Sequence, residues 1–219
     1  MVVLNDVSLC MIVRDEMVNP LGGIERFLDL HLPYFSEAVV VDTGSIDGTR
    51  DVLDQYTQRF PQLRVYDHMF DGFGNSRNFS LEQVRTSWAL ILDADEMLDE
   101  EDFSYLEKFL KQNYFDRCEV YNFGIIGIFP DGTQQVFRLG LCSRLVARNV
   151  RFYRDVWELI SGTYVSDYLS ISIKHFLPNS EALYSKRHNW YQLFNLGIPQ
   201  VSPSLIKGFE EWKRPHPNL

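Results

Sequence analysis

Three runs of almost unbroken hydrophobicity, Val7–Val13 (VSLCMIV), Glu37–Val41 (EAVVV) and Trp88–Leu92 (WALIL), constrain this chain more than any other feature. A strand with one wet face alternates apolar and polar residues. A strand apolar on both faces belongs at the centre of a parallel sheet covered on both sides. Arg64–Tyr66 is a weaker fourth strand. Between these runs, Leu21–Leu32, Gly48–Phe60 and Ser76–Arg85 carry the spacing of amphipathic helices. Asp47 stands where the second helix needs an N-cap, and Asn75 or Ser76 where the third does. Strand and helix alternating in this way predict a doubly wound α/β sheet.

After Asp93 the rhythm changes. Asp99 can cap an acidic helix over Glu100–Asn113, whose carboxylates near the N-terminus suit the helix dipole. Val120–Phe129 and Gln134–Leu145 flank Pro130-Asp131-Gly132, a hairpin signal. A strand over Leu169–His175 then precedes a helix from about Asn179 to Leu196. The reading is one domain over 1–219, with an α/β half (1–98) and a smaller mixed, mostly antiparallel half (99–219). Pro199, Pro203, Pro215 and Pro217 make the tail an ordered wrap or a linker to further domains after residue 219.

With 45% hydrophobic residues the chain can bury such a core, and 21 basic against 30 acidic residues leave it at −9. That charge argues against a general nucleic-acid partner, whose phosphates need a basic surface. No apolar run reaches the roughly 18 to 20 residues of a membrane span, so no transmembrane segment is expected. The opening MVVLNDVSLCMIV has no basic region or small-residue cleavage site, so it is not read as a signal peptide. Cys10, Cys118 and Cys142 form no CxxC pair and leave an odd thiol. A reducing, cytoplasmic setting fits these features better than a disulfide framework.

The strongest local motif is Asp93-Ala94-Asp95-Glu96, directly after WALIL. Residues two apart in extended chain point the same way, so Asp93 and Asp95 project together beyond the strand end. Ligands in open α/β sheets bind at that end. A hard divalent cation, Mg²⁺ or Mn²⁺, would relieve the repulsion, although an acidic turn feeding the Asp99 cap is the plainer use. The second motif is Val39–Thr49, read V-V-V-D-T-G-S-I-D-G-T. An aspartic protease would need a second Asp-Thr/Ser-Gly copy, and none exists. A strand-to-helix turn with Asp42 at the strand end, free to accept hydrogen bonds from a base or sugar, remains.

Other motifs fail. Gly72-Phe73-Gly74 does not continue as GxGxxG, and no GxxxxGK[ST] exists. An EF-hand counted from Asp93 has Leu98 in place of glycine and Ser104 in place of glutamate. A DxDxT-type phosphatase would not place Met97 where it stands. Asn78-Phe79-Ser80 matches a glycosylation sequon, expected by chance on a chain with no secretion signal. Arg138, Arg144, Arg148, Arg151 and Arg154 read as a mixed solvated face.

Taken in order, Ser8–Glu16 (SLCMIVRDE), Asp42–Thr49, Ser76-Arg77-Asn78 and Leu90–Glu96 (LILDADE) closely resemble family 2 glycosyltransferases of the GT-A fold. Those enzymes carry S-L-x-M-I-V-x-N/D-E, V-D-T-G-S-x-D-G-T, S-R-N and L-D-A-D-E. The resemblance is dense to about residue 100. Beyond it, Arg144-Leu145, Phe152 to Glu158, Ile173–Phe176 and Lys186–Asn189 resemble the family's R-L-F…F-x-x-x-V-H-E, I-x-H-Y/F and K-x-R-N. Trp157 stands where the family has histidine.

The resemblance implies a Rossmann-like half for a nucleoside diphosphate sugar, a UDP-sugar by preference, joined to an acceptor-side sheet. Transfer would go with inversion to a hydroxyl of a glycan or glycoprotein acceptor. Asp42 would meet the base, with Arg14, Asp15 and Glu16 beside the nucleotide. Asp93 and Ala94 would face the ribose or a metal-bound water, and Arg77 with Lys186 or Arg187 would steady the diphosphate. Asp95 would ligate Mn²⁺ or Mg²⁺, with Asp93 near it and His175 either a further ligand or a core histidine. Glu158 is the expected general base and Asp155 its competitor. Trp157 and Trp190 can stack on sugars or pack in a core. Two other readings compete: a sugar-nucleotide pyrophosphorylase, which would want a glycine-rich basic loop after the first strand, and a domain that binds without catalysis.

Overall fold

The computed structural model of the protein describes residues 2–17, 23–112, 118–152, 160 and 162–177. Its first half contains β1 (Val7–Val13), α1 (Ile24–His31), β2 (Ala38–Asp42), α2 (Thr49–Arg59), β3 (Leu63–Asp67), α3 (Phe73–Gln83) and β4 (Trp88–Ile91). The four strands lie in the order β3-β2-β1-β4 and pair in parallel. Successive side chains of β1 take opposite faces, as extended chain requires. Leu9, Met11 and Val13 pack with Phe27 and Leu28 of α1 and Leu53 of α2, while Cys10 packs with Leu81 of α3. Both faces are therefore covered, which is why the run had to be apolar without a break. Leu9, Met11, Val40 and Leu90 are wholly buried. Each such side chain contributes about 1.5–3 kcal/mol by leaving water.

The second half contains β5 (Glu96–Met97), α4 (Glu100–Leu110), β6 (Val120–Ile128), β7 (Gln134–Ala147) and β8 (Ser166–Phe176). It extends the same sheet, which runs β3-β2-β1-β4-β7-β6-β8-β5. β4 is the seam: parallel to β1 on one side and antiparallel to β7 on the other, through Trp88↔Ala147 and Leu90↔Leu145. The hairpin between β6 and β7 forms at the expected turn, where Asp131 Oδ1 accepts the Thr133 N–H at 2.9 Å and its hydroxyl at 2.6 Å. β8 lies parallel to β6, and β5 closes the edge antiparallel to β8. Asp99 and Asp102 form a capping box at α4, with the Asp99 N–H donating to Asp102 Oδ2 at 2.9 Å.

Several expectations shift. α3 begins at Phe73 behind Gly72, so Asn75 and Ser76 lie inside its first turn and neither is the cap. Gly48 precedes α2, and Asp47 serves from one residue further out, accepting the Thr49 N–H at 3.0 Å. α1 ends at His31, with Leu32–Tyr34 in a 3₁₀ turn around Pro33. Arg144 is 1% exposed and belongs to the core, not to a solvated face. β5 was not anticipated, and the helix expected over 179–196 lies outside the described residues. All three cysteines are free thiols. No described helix is long and apolar enough to cross a membrane.

Candidate functional site

Chain order reverses between β1 and β4, because β2 follows β1 on one side and β4 joins on the other. At such a point the loops at the carboxyl ends of the strands part and leave a crevice. Two groups of side chains gather there, one after β1 and β2 and one after β4.

The first is a lock between two loops. Asp42 Oδ1 folds its own turn by accepting the N–H groups of Gly44 and Ser45, both at 2.7 Å. Gly44 has φ 105 and Gly48 φ 101, a backbone that side-chain-bearing residues rarely adopt. The turn then reaches back to the chain after β1. Ser45 Oγ accepts the Asp15 N–H at 3.0 Å, Thr49 Oγ1 that of Glu16 at 2.8 Å, and Asp47 Oδ2 that of Met17 at 2.9 Å. Asp15 returns a bond, its Oδ1 accepting the Ile46 N–H at 2.8 Å, and these contacts hold it at φ 52, a conformation Asp tolerates better than most residues. Arg14 lies across the turn, donating to the Thr43 carbonyl at 3.2 Å. The polar residues of the D-T-G-S-I-D-G-T motif are thus mostly spent on shape. Asp42 Oδ2 is buried and has no hydrogen-bond partner among the described residues.

The second group surrounds Asp93–Glu96. Arg77 of α3 donates through Nη2 to both oxygens of Asp93, at 2.9 and 3.1 Å. Burial would raise the Asp93 pKa, but Arg77, then Arg144 and His175, hold it below the usual carboxylate range. Glu96 closes the turn twice: its N–H donates to the Asp93 carbonyl at 2.9 Å, and its Oε2 accepts the Asp93 N–H at 2.9 Å. Its other oxygen, Oε1, receives Arg144 Nη2 of β7 at 2.5 Å. Burial drives the Glu96 pKa upward; Arg144 opposes the rise, and Asp93 and Asp95 add to it. His175 of β8 faces Glu96 across the strand pair. Its Nε2 lies 3.5 Å from Asp95 Oδ2 and its Nδ1 3.8 Å from Glu96 Oε1. The Phe176 N–H bonds the Asp95 carbonyl at 2.7 Å.

The fold thus gathers Arg14, Asp15, Glu16 and Asp42 in one cluster and Arg77, Asp93, Asp95 and His175 in another, with Ala94 buried in the turn between its aspartates. Asp155, Glu158, Trp157, Lys186, Arg187 and Trp190 lie outside the described residues. Glu96 and Arg144 were not singled out as site residues. The only signal was that both fall in stretches with family-like spacing, and nothing local says that they meet. Nε and Nη1 of Arg77 are buried without a hydrogen-bond partner among the described residues, as is Ser76 Oγ. Buried donors ordinarily find an acceptor.

Among the described residues, no three His, Cys, Asp or Glu side chains converge as a metal cage. Asp93 is turned to Arg77, leaving Asp95 and His175 as neighbours. Such a sparse set still fits Mg²⁺ or Mn²⁺, which bind through one or two carboxylates and complete their shells with substrate phosphates and water.

The sequence profile described as "Glycosyl transferase family 2" matches residues 9–167. Over 64 residues the chain is 36% identical to the lipopolysaccharide core biosynthesis glycosyltransferase LpsC of Rhizobium meliloti, covering 29% of this chain and 24% of that protein. Over 162 residues it is 33% identical to a TPR repeat-containing protein of Synechococcus elongatus, covering 72% of this chain and 36% of that one. The chain therefore spans only 24% to 36% of the length of these curated relatives. S. aureus TarS 1–349 in complex with UDP-GlcNAc is similar in structure, with TM-score 0.60, 18% identity, and coverage of 87% of this chain and 65% of that one. So is the mannosyltransferase PcManGT from Pyrobaculum calidifontis in complex with GDP-Man and Mn²⁺, with TM-score 0.57, 17% identity, and coverage of 93% and 67%. At these identities the two structures speak to the fold.

Proposed function

We propose, from the premise that the chain belongs to glycosyl transferase family 2 and has the GT-A fold, that it transfers a sugar from a nucleoside diphosphate sugar to an acceptor hydroxyl. The observation that carries this reading is the pairing, at the carboxyl ends of β2 and β4, of a buried acceptor, Asp42 Oδ2, and buried donors on Arg77 that have no hydrogen-bond partner among the described residues. A nucleotide supplies complements to both: N–H groups on its base and oxygens on its diphosphate. UDP is the preferred carrier, supported by the complexes of TarS with UDP and UDP-GlcNAc. Arg14, Asp15 and Glu16 wall the nucleotide on the β1 side, and Asp93, fixed by Arg77, faces the ribose.

Asp95 and His175 are the residues that would hold a divalent ion, a reading supported by the Mn²⁺ of PcManGT. When bound, the ion supplies Lewis-acid stabilisation of charge on the departing diphosphate. The acceptor oxygen forms its bond to the anomeric carbon as the bond from that carbon to the diphosphate oxygen breaks. A carboxylate on the face opposite the diphosphate takes the hydroxyl proton, and attack from that face inverts the anomeric centre. Glu158 is assigned that proton and Asp155 is its competitor. The acceptor is a glycan or glycoprotein hydroxyl.

Calorimetric titration of the chain with UDP and GDP, with and without Mn²⁺, tests this. UDP is expected to bind more tightly than GDP, and more tightly with the ion present. Asp95→Ala should abolish the effect of Mn²⁺, whereas Asp93→Ala should weaken UDP binding with or without it. No nucleotide binding to the wild-type chain would overturn the reading, and an unaltered Mn²⁺ response in both variants would remove the metal from it.

A further inference from the structure

Glu96 and Arg144 form a buried ionic contact that the proposed chemistry does not use. Both are 1% exposed. They come from strands that are not neighbours, since β5 ends the sheet at one edge and β7 lies beside β4. Such a pair is a poor source of stability, because desolvating two charges offsets much of their attraction. What it does here is geometric. Oε2 of Glu96 accepts the Asp93 N–H at 2.9 Å, while Oε1 is fixed by Arg144 at 2.5 Å. The Glu96 N–H closes the same turn on the Asp93 carbonyl. Arg144 itself is set by its neighbour Leu145, which pairs with Leu90 of β4. A rigid link thus runs from the strand that launches the turn, through β7, back to the turn's last residue.

We propose that Glu96 and Arg144 are positioning residues for the Asp93–Asp95 turn: Arg144 orients the Glu96 carboxylate, and Glu96 clamps the turn so that Asp95 is presented beside His175. The inference rests on the reading of Asp95 as a residue that meets a metal–nucleotide complex. Losing an outer partner of a ligating carboxylate typically costs about 10- to 100-fold in metal affinity.

The test is the double variant Glu96→Leu/Arg144→Met in the full chain. It removes the clamp without leaving one charge buried alone, and apolar replacements of buried pairs are often neutral for stability. Two quantities are read: amide exchange at Asp93, and binding of UDP with Mn²⁺ by calorimetry, Mn²⁺ being followed by its electron-spin resonance signal. Asp93 exchange should rise about 10-fold or more relative to β1 amides, and Mn²⁺–UDP affinity should fall about 10- to 100-fold. A control, Glu37→Leu/Arg64→Met, removes an ion pair at the amino-terminal end of the sheet; because Glu37 also accepts from the Ser8 hydroxyl and the Arg85 N–H, it should lower Tm while leaving Mn²⁺–UDP affinity unchanged. If the double variant does not fold, Arg144→Gln carries the test, with affinity expected to fall about 10- to 100-fold, because its amide ends two bonds short of Nη2 and no longer reaches Glu96. Unchanged Asp93 exchange, unchanged affinity, or an equal affinity loss in the control overturns the inference. If wild-type chain binds no UDP, the proposed function falls. The exchange arm still reads the clamp, so the two failures are distinguishable.

Discussion

His31 joins α1 to the segment that leaves the Asp93–Glu96 turn. Its ring is buried; the Leu98 N–H donates to Nε2 at 3.3 Å, so the proton sits on Nδ1, which donates to the Phe27 carbonyl at 2.8 Å. The Leu98 bond requires the neutral ring, whereas the Phe27 bond would survive protonation. Burial pushes its pKa from 6.5 down to about 4, against the pull of the Phe27 carbonyl. Between those values the unfolded chain binds a proton that the folded chain refuses. Stability is therefore fully present above about pH 6.5 and falls by about 1.4 kcal/mol per pH unit on the way to pH 4. Urea unfolding at pH 7.0 and 5.0 should show this fall in wild type and lose about 2 kcal/mol of it in His31→Gln. An identical pH dependence in both proteins would show that His31 is not the group responsible. Nothing in IERFLDLH separates this histidine from an exposed one, because the signal is the partner at Leu98, far along the chain.

At the scale of elements, legibility tracked how local the forces are. Unbroken apolar runs marked β1, β2 and β4, and Asp99 marked the start of α4, because burial on both faces and capping leave their mark in neighbouring residues. β5 left no such mark. It is two residues long and exists because β8, nearly eighty positions later at the point of contact, comes alongside through Glu96↔His175 and Met97↔Lys174. The start of α3 is hard to read for a related reason: its polar first turn, with Asn75 and Ser76, looks like a cap although the helix is already under way there. The capping box gives a measurable consequence. Asp99→Ala should destabilise the protein by about 1 kcal/mol, the usual loss for an N-cap carboxylate. Lys174→Met, which removes the half-exposed ion pair to Asp99, should cost less, because solvent screens that pair. Chemical denaturation of both variants beside wild type checks the order, and a larger loss in Lys174→Met would contradict it.

At the largest scale, one hydrogen-bonded sheet runs through both halves of the described residues. β4 has hydrogen-bonded neighbours on both sides, and Leu90 is buried between β1 and β7. A fragment of residues 1–98 would expose the β4 edge, an invitation to pair with other chains. It should fail to give the cooperative urea transition of the full chain and should sediment as aggregates; a monomeric, cooperatively unfolding fragment would show the halves to be independent. The candidate site was legible in type but not in role. Spacing and family resemblance pointed to Asp42, Asp93, Asp95, Arg77 and His175, and the structure places Asp42 in one cluster and the other four in a second. They could not divide side chains that face a ligand from those that hold a loop, since the partners of Ser45, Asp47 and Thr49 lie 30 to 33 residues away. The lock between residues 14–17 and 42–49 therefore matters to anyone who would move this site to another scaffold. Transplanting the D-T-G-S-I-D-G-T loop alone would strand Ser45, Asp47 and Thr49 without the amides of Asp15, Glu16 and Met17, so the smallest portable unit is the pair of loops with the ends of β1 and β2 that bear them.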